Sequence, residues 1–322
     1  MNNILITSGG RRVSLVRAFM KELKAIFPSA KVYVADFNPN LSPAAQIADK
    51  SIKICRVDDA DYSDYLLKAC IENNVKLVIP TIDTELLILS QNKEKFLRHN
   101  ITIIISNKNL IEACIDKIKT HTLFEKLNVN VAKTYSKSNY KLPIFIKPLN
   151  GSGSNNNFIV KSKSQISEYQ LKNDSLKFFE YFDAELYDEY TCDLYYDKNS
   201  NLKCVIPRKR IETRAGEVSK GVTKKNRLIT FIDQNFSFLE DAIGCITVQF
   251  FLHKNTNEIK GIEINPRFGG GFPLSYLAGG NYPKWIIQEY MLHEELNYFD
   301  AWEENLLMLR YDDEILIKNH ED

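Results

Sequence analysis

The chain has 322 residues, 44% hydrophobic and 11% aromatic, with 42 basic and 41 acidic side chains and a formal net charge of +1. At roughly 150 residues per domain, that is material for two or three globular cores. The near-neutral balance excludes a global electrostatic reason for a nucleic-acid or membrane partner, so any anion site has to be built locally.

The opening Met1-Asn2-Asn3-Ile4-Leu5-Ile6 is too short and too quickly polar for a signal peptide. Apolar runs such as 101–105 fall far short of the roughly 20 residues that span a bilayer. The six cysteines, Cys55, Cys70, Cys114, Cys192, Cys204 and Cys245, form no CxxC pair. They read as reduced thiols of a cytoplasmic protein, with neither a disulfide frame nor a zinc site.

Apolar periodicity predicts the elements in order. Residues 3–7 form a strand, followed by Ser8-Gly9-Gly10 and an amphipathic helix over 13–26. A second strand covers 31–35 and ends at Asp36; 62–73 reads as helix, 77–80 as strand, 84–96 as helix and 101–106 as strand. Strands alternating with helices imply βαβ units and a parallel, doubly wound, Rossmann-like sheet. Gly9-Gly10-Arg11-Arg12 follows the first strand, where such sheets bind ligands; it either holds a second substrate or packs. It does not match GxGxxG, which argues against a nicotinamide cofactor.

From about Leu110 the pattern changes. Residues 109–127 read as one helix, then short strands follow at 144–147, 157–160, 177–182, 189–196 and 203–208. Asp197-Lys198-Asn199-Ser200-Asn201 is a hairpin turn, and 246–253 with 258–265 form another hairpin. This is an antiparallel α+β module with a charged, peripheral tail after Arg310.

The most informative segment is Glu263-Ile264-Asn265-Pro266-Arg267 with Gly269-Gly270-Gly271 behind it. Alternation along a strand would aim Glu263, Asn265 and Arg267 at one face, with Gln249 opposite on the preceding strand. Oxygen ligands beside a cation suit Mg²⁺ shared with phosphate. The plain alternative is a solvated edge strand. A second segment runs from the strand 144–147, ending in Lys147, into Gly151-Ser152-Gly153-Ser154. A lysine there can serve as a point charge for phosphates, and a small-residue loop can close over them. Asp116-Lys117, Glu180, and Glu189 with Asp193 are further acids and lysines on predicted elements. The basic run Arg208-Lys209-Arg210 to Arg214 and Lys220 lacks the interleaved aromatics of an RNA site, which favours triphosphate and carboxylate binding.

The order of these pieces resembles the ATP-grasp superfamily, and within it the synthetase domains of carbamoyl phosphate synthetase large subunits and small stand-alone ligases. The resemblance covers most of the chain, including Pro80-Thr81-Ile82-Asp83-Thr84-Glu85 after a strand. It implies an α/β fold: a Rossmann-like pre-ATP-grasp domain over 1–112, an ATP-grasp domain over 113–310 with a small lobe at 120–182 and a larger one at 183–310, and a tail at 311–322. It implies ATP with Mg²⁺, or Mn²⁺ in its place. Lys117 and Lys147 would meet the phosphates under the 151–154 loop, with Glu180 or Glu185 at the adenine and Glu189 on the ribose. Gln249, Glu263 and Asn265 would hold the metal, and Arg267 the phosphoryl group. Arg208, Arg210, Arg214 and Lys220 would face the γ-phosphate and the acceptor. The implied activity is a ligase joining a small carboxylate to an amine through an acyl phosphate, with a homodimer as one expected assembly. The alternatives are a kinase acting on bicarbonate or carbamate, and a nucleotide-binding protein without turnover.

Overall fold

The computed structural model describes residues 2–148, 157–214 and 216–318. The N-terminal third is a parallel sheet of β1 (Asn3–Thr7), β2 (Val32–Asp36), β3 (Lys50–Lys53), β4 (Val75–Ile79) and β5 (Thr102–Ile103), in the order β3-β2-β1-β4-β5. All five residues of β1 are buried, the mark of a central strand covered on both faces. The flanking helices are α1 (Val13–Ile26), α2 (Pro43–Ile47), α3 (Tyr62–Glu72), α4 (Asp83–Gln91) and α5 (Lys93–Leu97). Helix α1 buries Leu15, Val16, Phe19 and Leu23, one apolar stripe at helical spacing. The single helix expected over 84–96 is two, interrupted at Asn92, whose side chain donates to the Ile88 carbonyl at 2.8 Å.

Helices α6 (Lys108–Ile115) and α7 (Lys117–Lys126) replace the one helix expected over 109–127. Asp116 explains the break: its carboxylate accepts the Ile118 and Lys119 amides at 2.8 and 3.1 Å. It starts a new helix as an N-cap. The chain continues through β6 (Asn130–Val131), β7 (Thr134–Tyr135), β8 (Ile144–Pro148), β9 (Phe158–Val160), α8 (Glu168–Lys172) and β10 (Leu176–Glu180). Strands β7, β10, β8 and β9 make a small antiparallel sheet in that order.

The remaining elements are β11 (Tyr187–Tyr196), β12 (Leu202–Arg214), β13 (Glu217–Thr223), α9 (Arg227–Asn235), β14 (Gly244–His253), β15 (Ile259–Asn265), α10 (Phe272–Leu277), α11 (Tyr282–Met291) and β16 (Leu307–Leu309). They build a large sheet in the order β16-β13-β12-β11-β14-β15-β6. Strand β6 therefore belongs to this sheet, although it lies within the span expected for the small lobe.

One core joins the parallel sheet to the large one. Phe19 of α1 meets Phe268 edge-on, with ring centroids 5.8 Å apart, and Phe268 meets Phe272 of α10 at 4.7 Å. Ile4, Val34, Ile206, Tyr282 and Ile286 are buried in the same cluster. Burying a side chain of this size contributes roughly 1.5–3 kcal/mol, so the carboxyl ends of β1 and β4 are held firmly against the loop after β15. All six cysteines carry free thiols. No helix among the described residues is long and apolar enough to cross a membrane.

Candidate functional site

Two lysines approach the site, Lys147 from the small sheet and Lys117 from helix α7, which packs Phe124 into the core of the large sheet. Lys117 stands in the first turn of α7, where a cation opposes the helix dipole. Its ammonium donates to the Pro148 carbonyl at 2.8 Å, directly beside Lys147. Lys147 ends the apolar strand β8, with its ammonium 5.0 Å from the centroid of the Phe179 ring. Burial and then the charge of Lys117 push Lys147 below the usual lysine value, while Glu263 holds it up. Burial likewise lowers Lys117, against the pull of Glu263. Gly151, Ser152, Gly153 and Ser154 lie outside the described residues.

From the large sheet come Gln249 of β14, paired in register with Glu263 of β15, and Asn265. The Gln249 amide donates to Glu263 Oε1, and the Asn265 amide donates to the same oxygen at 2.7 Å. One carboxylate and two side-chain amides thus converge. Each amide carries a carbonyl oxygen, so the set offers only hard donors, which fits Mg²⁺. No cluster of three or more His, Cys, Asp or Glu side chains occurs among the described residues. A metal in this site would therefore rest on one carboxylate and neutral oxygens, leaving coordination for phosphate.

Glu180 ends β10, and its carboxylate accepts the Lys133 amide at 3.2 Å. Glu185 is exposed in the following turn, where Lys254 donates to its backbone carbonyl at 3.0 Å. Between them Phe182 packs on Tyr187 and Phe251, with centroids 5.0 and 5.2 Å away, an apolar wall where the chain passes between the two sheets. Glu189 lies beside Arg210, Oε1 to Nε 3.0 Å. Burial pushes its carboxyl up, Arg210 pulls it down, and Glu263 adds to the rise.

The basic segment splits. Arg208 and Arg210 share a face of β12 as alternation requires, but Arg208 is enclosed, at 1% exposure. Its guanidinium meets Asp193 through Nε and Nη2 at 2.8 and 3.0 Å. This corrects the expectation that Arg208 faces the γ-phosphate: it holds the sheet interior together. Gly271 is required above it, because a Cβ there would stand 2.2 Å from Arg208 Nη1. Arg214 also departs from expectation: it is exposed and meets Asp312 of the tail at 3.0 Å. Lys220 pairs with Glu212 at 2.7 Å on the exposed end of the β12–β13 hairpin. Among the described residues, no contact joins either side chain to Lys117, Lys147 or Glu263.

Arg267 lies past the end of β15, in a bend, so strand alternation does not set its direction. It reaches across to the parallel sheet. Its Nε and Nη2 donate to the two Asp83 oxygens at 2.8 and 2.6 Å, a bidentate pair of the strong kind. The same Asp193 network reaches it from below: Thr247 lies 3.2 Å from Asp193 and 3.1 Å from the Arg267 carbonyl. Beside Asp83, Glu85 is fully buried and accepts the Thr81 amide at 2.8 Å and the Tyr62 hydroxyl at 2.9 Å. Arg12 donates to the Thr81 carbonyl at 2.9 Å.

Sequence reasoning passed over Asp83 and His121 as site residues, and left Arg12 within a segment that either holds a second substrate or packs. Asp83 and Arg12 carry a positional signal, since both follow strands of a parallel sheet at their carboxyl ends. His121 stands four residues after Lys117, on the same helix face. Burial and then the Lys147 charge lower its pKa, against the pull of Glu125.

Comparison with known proteins agrees with this architecture. Residues 4–104 match the family model for the PylC-like, N-terminal domain, and residues 180–313 match the model described as ATP-grasp in the biosynthetic pathway with Ter operon. No curated protein matches. Among solved structures, Campylobacter jejuni biotin carboxylase in its β-γ-ATP complex is 15% identical with TM-score 0.68, covering 95% of this chain and 74% of that one. Staphylococcus aureus N5-carboxyaminoimidazole synthetase complexed with ADP is 17% identical with TM-score 0.69, covering 92% of this chain and 79% of that one. The biotin carboxylase domain dimer of Hydrogenobacter thermophilus 2-oxoglutarate carboxylase, in complex with MgADP, ADP and bicarbonate, is 14% identical with TM-score 0.70, covering 94% and 73%. The parallel N-terminal sheet, the two further sheets behind it and the matched models together make this chain a member of the ATP-grasp superfamily.

Proposed function

We propose that the chain is an ATP-dependent carboxylate–amine ligase working through an acyl phosphate. The observation that carries this reading is geometric: Lys117 of α7 reaches over to the Pro148 carbonyl beside Lys147 of β8, and Glu263 with its two amides gathers oxygens on the facing large sheet, whose charge acts on both lysines. The nucleotide complexes named for the structural relatives support it.

In this reading ATP lies between the sheets, its adenine near Glu180 and the Phe182 wall, its ribose at Glu189, its phosphates at Lys117 and Lys147. Mg²⁺ would be held by Glu263, Gln249 and Asn265 and would neutralise phosphate oxygens. A carboxylate oxygen attacks the γ-phosphorus, and the bond to the β-phosphate oxygen breaks, releasing ADP. Lys147 and Arg267 meet the charge that spreads over the transferring group. The amine nitrogen then attacks the acyl carbon, phosphate departs and takes the carboxylate oxygen with it, and the amine's proton passes to that phosphate or to solvent. No side-chain nucleophile is required; positioning and charge do the work.

The test is a phosphate-release screen over amino acids, sugar acids and bicarbonate with an amine panel, followed by heavy-oxygen labelling of the active acid. The label is expected in the released phosphate. Unlabelled phosphate would remove the acyl phosphate from the scheme.

A further inference from the structure

The nucleotide reading leaves one charge pattern unused. Strands β1 and β4 are neighbours in the parallel sheet, yet the chain leaves them toward opposite sides, so the loops at their carboxyl ends part and form a crevice. Arg12 bridges that crevice through its bond to the Thr81 carbonyl. Around the same junction Arg210, Arg214, Arg267 and Arg310 each have a carboxylate partner, respectively Glu189, Asp312, Asp83 and Glu217. Among the described residues Arg12 has none within ion-pair distance. It is partly buried. Burial and the nearby Arg267 lower its proton affinity, while Glu217, Asp83 and Glu85 act the other way. A guanidinium has five donors, and one of these is spent on Thr81. A desolvated cation with unspent donors is costly until an anion arrives.

We infer that Arg12 binds an anionic group, carboxylate or phosphate monoester, carried by the amine substrate. The substrate class is therefore a small molecule bearing both an amine and an anion. The inference rests on the ligase reading. Arg12 is the cation at this junction without a carboxylate partner among the described residues, and neither an amine without an anion nor a simple diamine would use it. The turn that presents Arg12 is specialised: Ser8 and Gly10 have φ of 53° and 48°, which brings the Gly10 amide to Asp36 at 3.3 Å and starts α1 at once.

The test measures MgATP-dependent phosphate release over a panel of carboxylic acids, each paired with glycine, 2-aminoethyl phosphate, glycinamide or ethylamine. Release is expected with glycine or 2-aminoethyl phosphate, at a KM about tenfold or more below that of the uncharged amines, from the size of a charged hydrogen bond. Whichever of the two is preferred identifies the anion. Arg12→Gln should raise that KM about tenfold or more, leave the KM of ATP and of the acid in place, and erase the preference over glycinamide. Arg12→Lys should recover part of the loss, because it keeps the charge without the planar fork. Equal KM values for glycine and glycinamide, or a rise confined to the acid or to ATP, would overturn the inference while the ligase reading stands. No release with any pair overturns the inference as well, and if MgATP also fails to stabilise the protein against heat, the ligase reading falls with it.

Discussion

Lys147 shows how a residue's surroundings announce a ligand. Burial and the charge of Lys117 disfavour the Lys147 ammonium as a cation, although the Phe179 ring face favours it, and a bound polyanion would relieve both unfavourable effects at once. The sign follows: a lysine lowered in the folded state costs stability wherever the unfolded lysine is protonated, and the cost is relieved as pH rises through the lowered value. ATP binding needs the protonated form, so ATP affinity should begin to weaken, as pH rises, at a lower pH than an ordinary lysine would allow. Calorimetric titration should show that decline, and Lys147→Met should flatten it; an unchanged pH profile in the variant would count against the assignment. Glu263 is exposed, so Glu263→Ala should leave the unfolding midpoint in place while phosphate release falls about a hundredfold or more, the scale of removing one transition-state charge partner. Lys147 and Glu263 stand out in the sequence because each interrupts an apolar strand. Arg208 was misread because alternation gives the face of a side chain and not its depth. The partner that encloses it, Asp193, lies on a neighbouring strand whose register the sequence does not state.

At the scale of elements, the hairpin 246–265 was readable, since two apolar strands flank a polar turn. Strand β12 was read over 203–208 only, and its continuation to Arg214 with β13 was read as a basic run, because the charges hide the strand period. Helix 109–127 was read as one because Asp116 is a common helix residue, and only its capping bonds to Ile118 and Lys119 reveal the break. Asp193 ties β11 to β12, to β14 through Thr247 and to α10 through Ser275, which donates at 2.6 Å. Asp193→Ala would strand the Arg208 charge in the interior and should cost about 3–5 kcal/mol, read by urea denaturation; a loss below about 1 kcal/mol would deny this hub its role. Asp83→Asn should act differently. It loosens the clamp on Arg267 across the two sheets, so kcat should fall while MgATP still stabilises the protein; loss of both would mean that Asp83 serves the fold alone.

For the molecule as a whole, strand–helix alternation gave the parallel sheet, and the change of pattern near Leu110 gave the second module. What sequence could not give is how the modules meet. That depends on Phe19, Phe268 and Phe272 packing across more than half the chain length, and no local period encodes a contact of that span. The tail at 311–322 was expected to be peripheral; its Asp312 reaches Arg214 on the exposed β12–β13 hairpin, just past β16, which adds a strand to the large sheet. The account depends on one nucleotide being gripped from both sides. The direct measurement is ATP affinity, with and without Mg²⁺, for the wild-type chain, Lys147→Met and Glu263→Ala. The account predicts that Mg²⁺ strengthens binding to the wild type, that Lys147→Met weakens it about tenfold or more, a loss of about 1.4 kcal/mol, and that Glu263→Ala removes the Mg²⁺ effect. Wild-type affinity in both variants, with Mg²⁺ dependence intact, would contradict it.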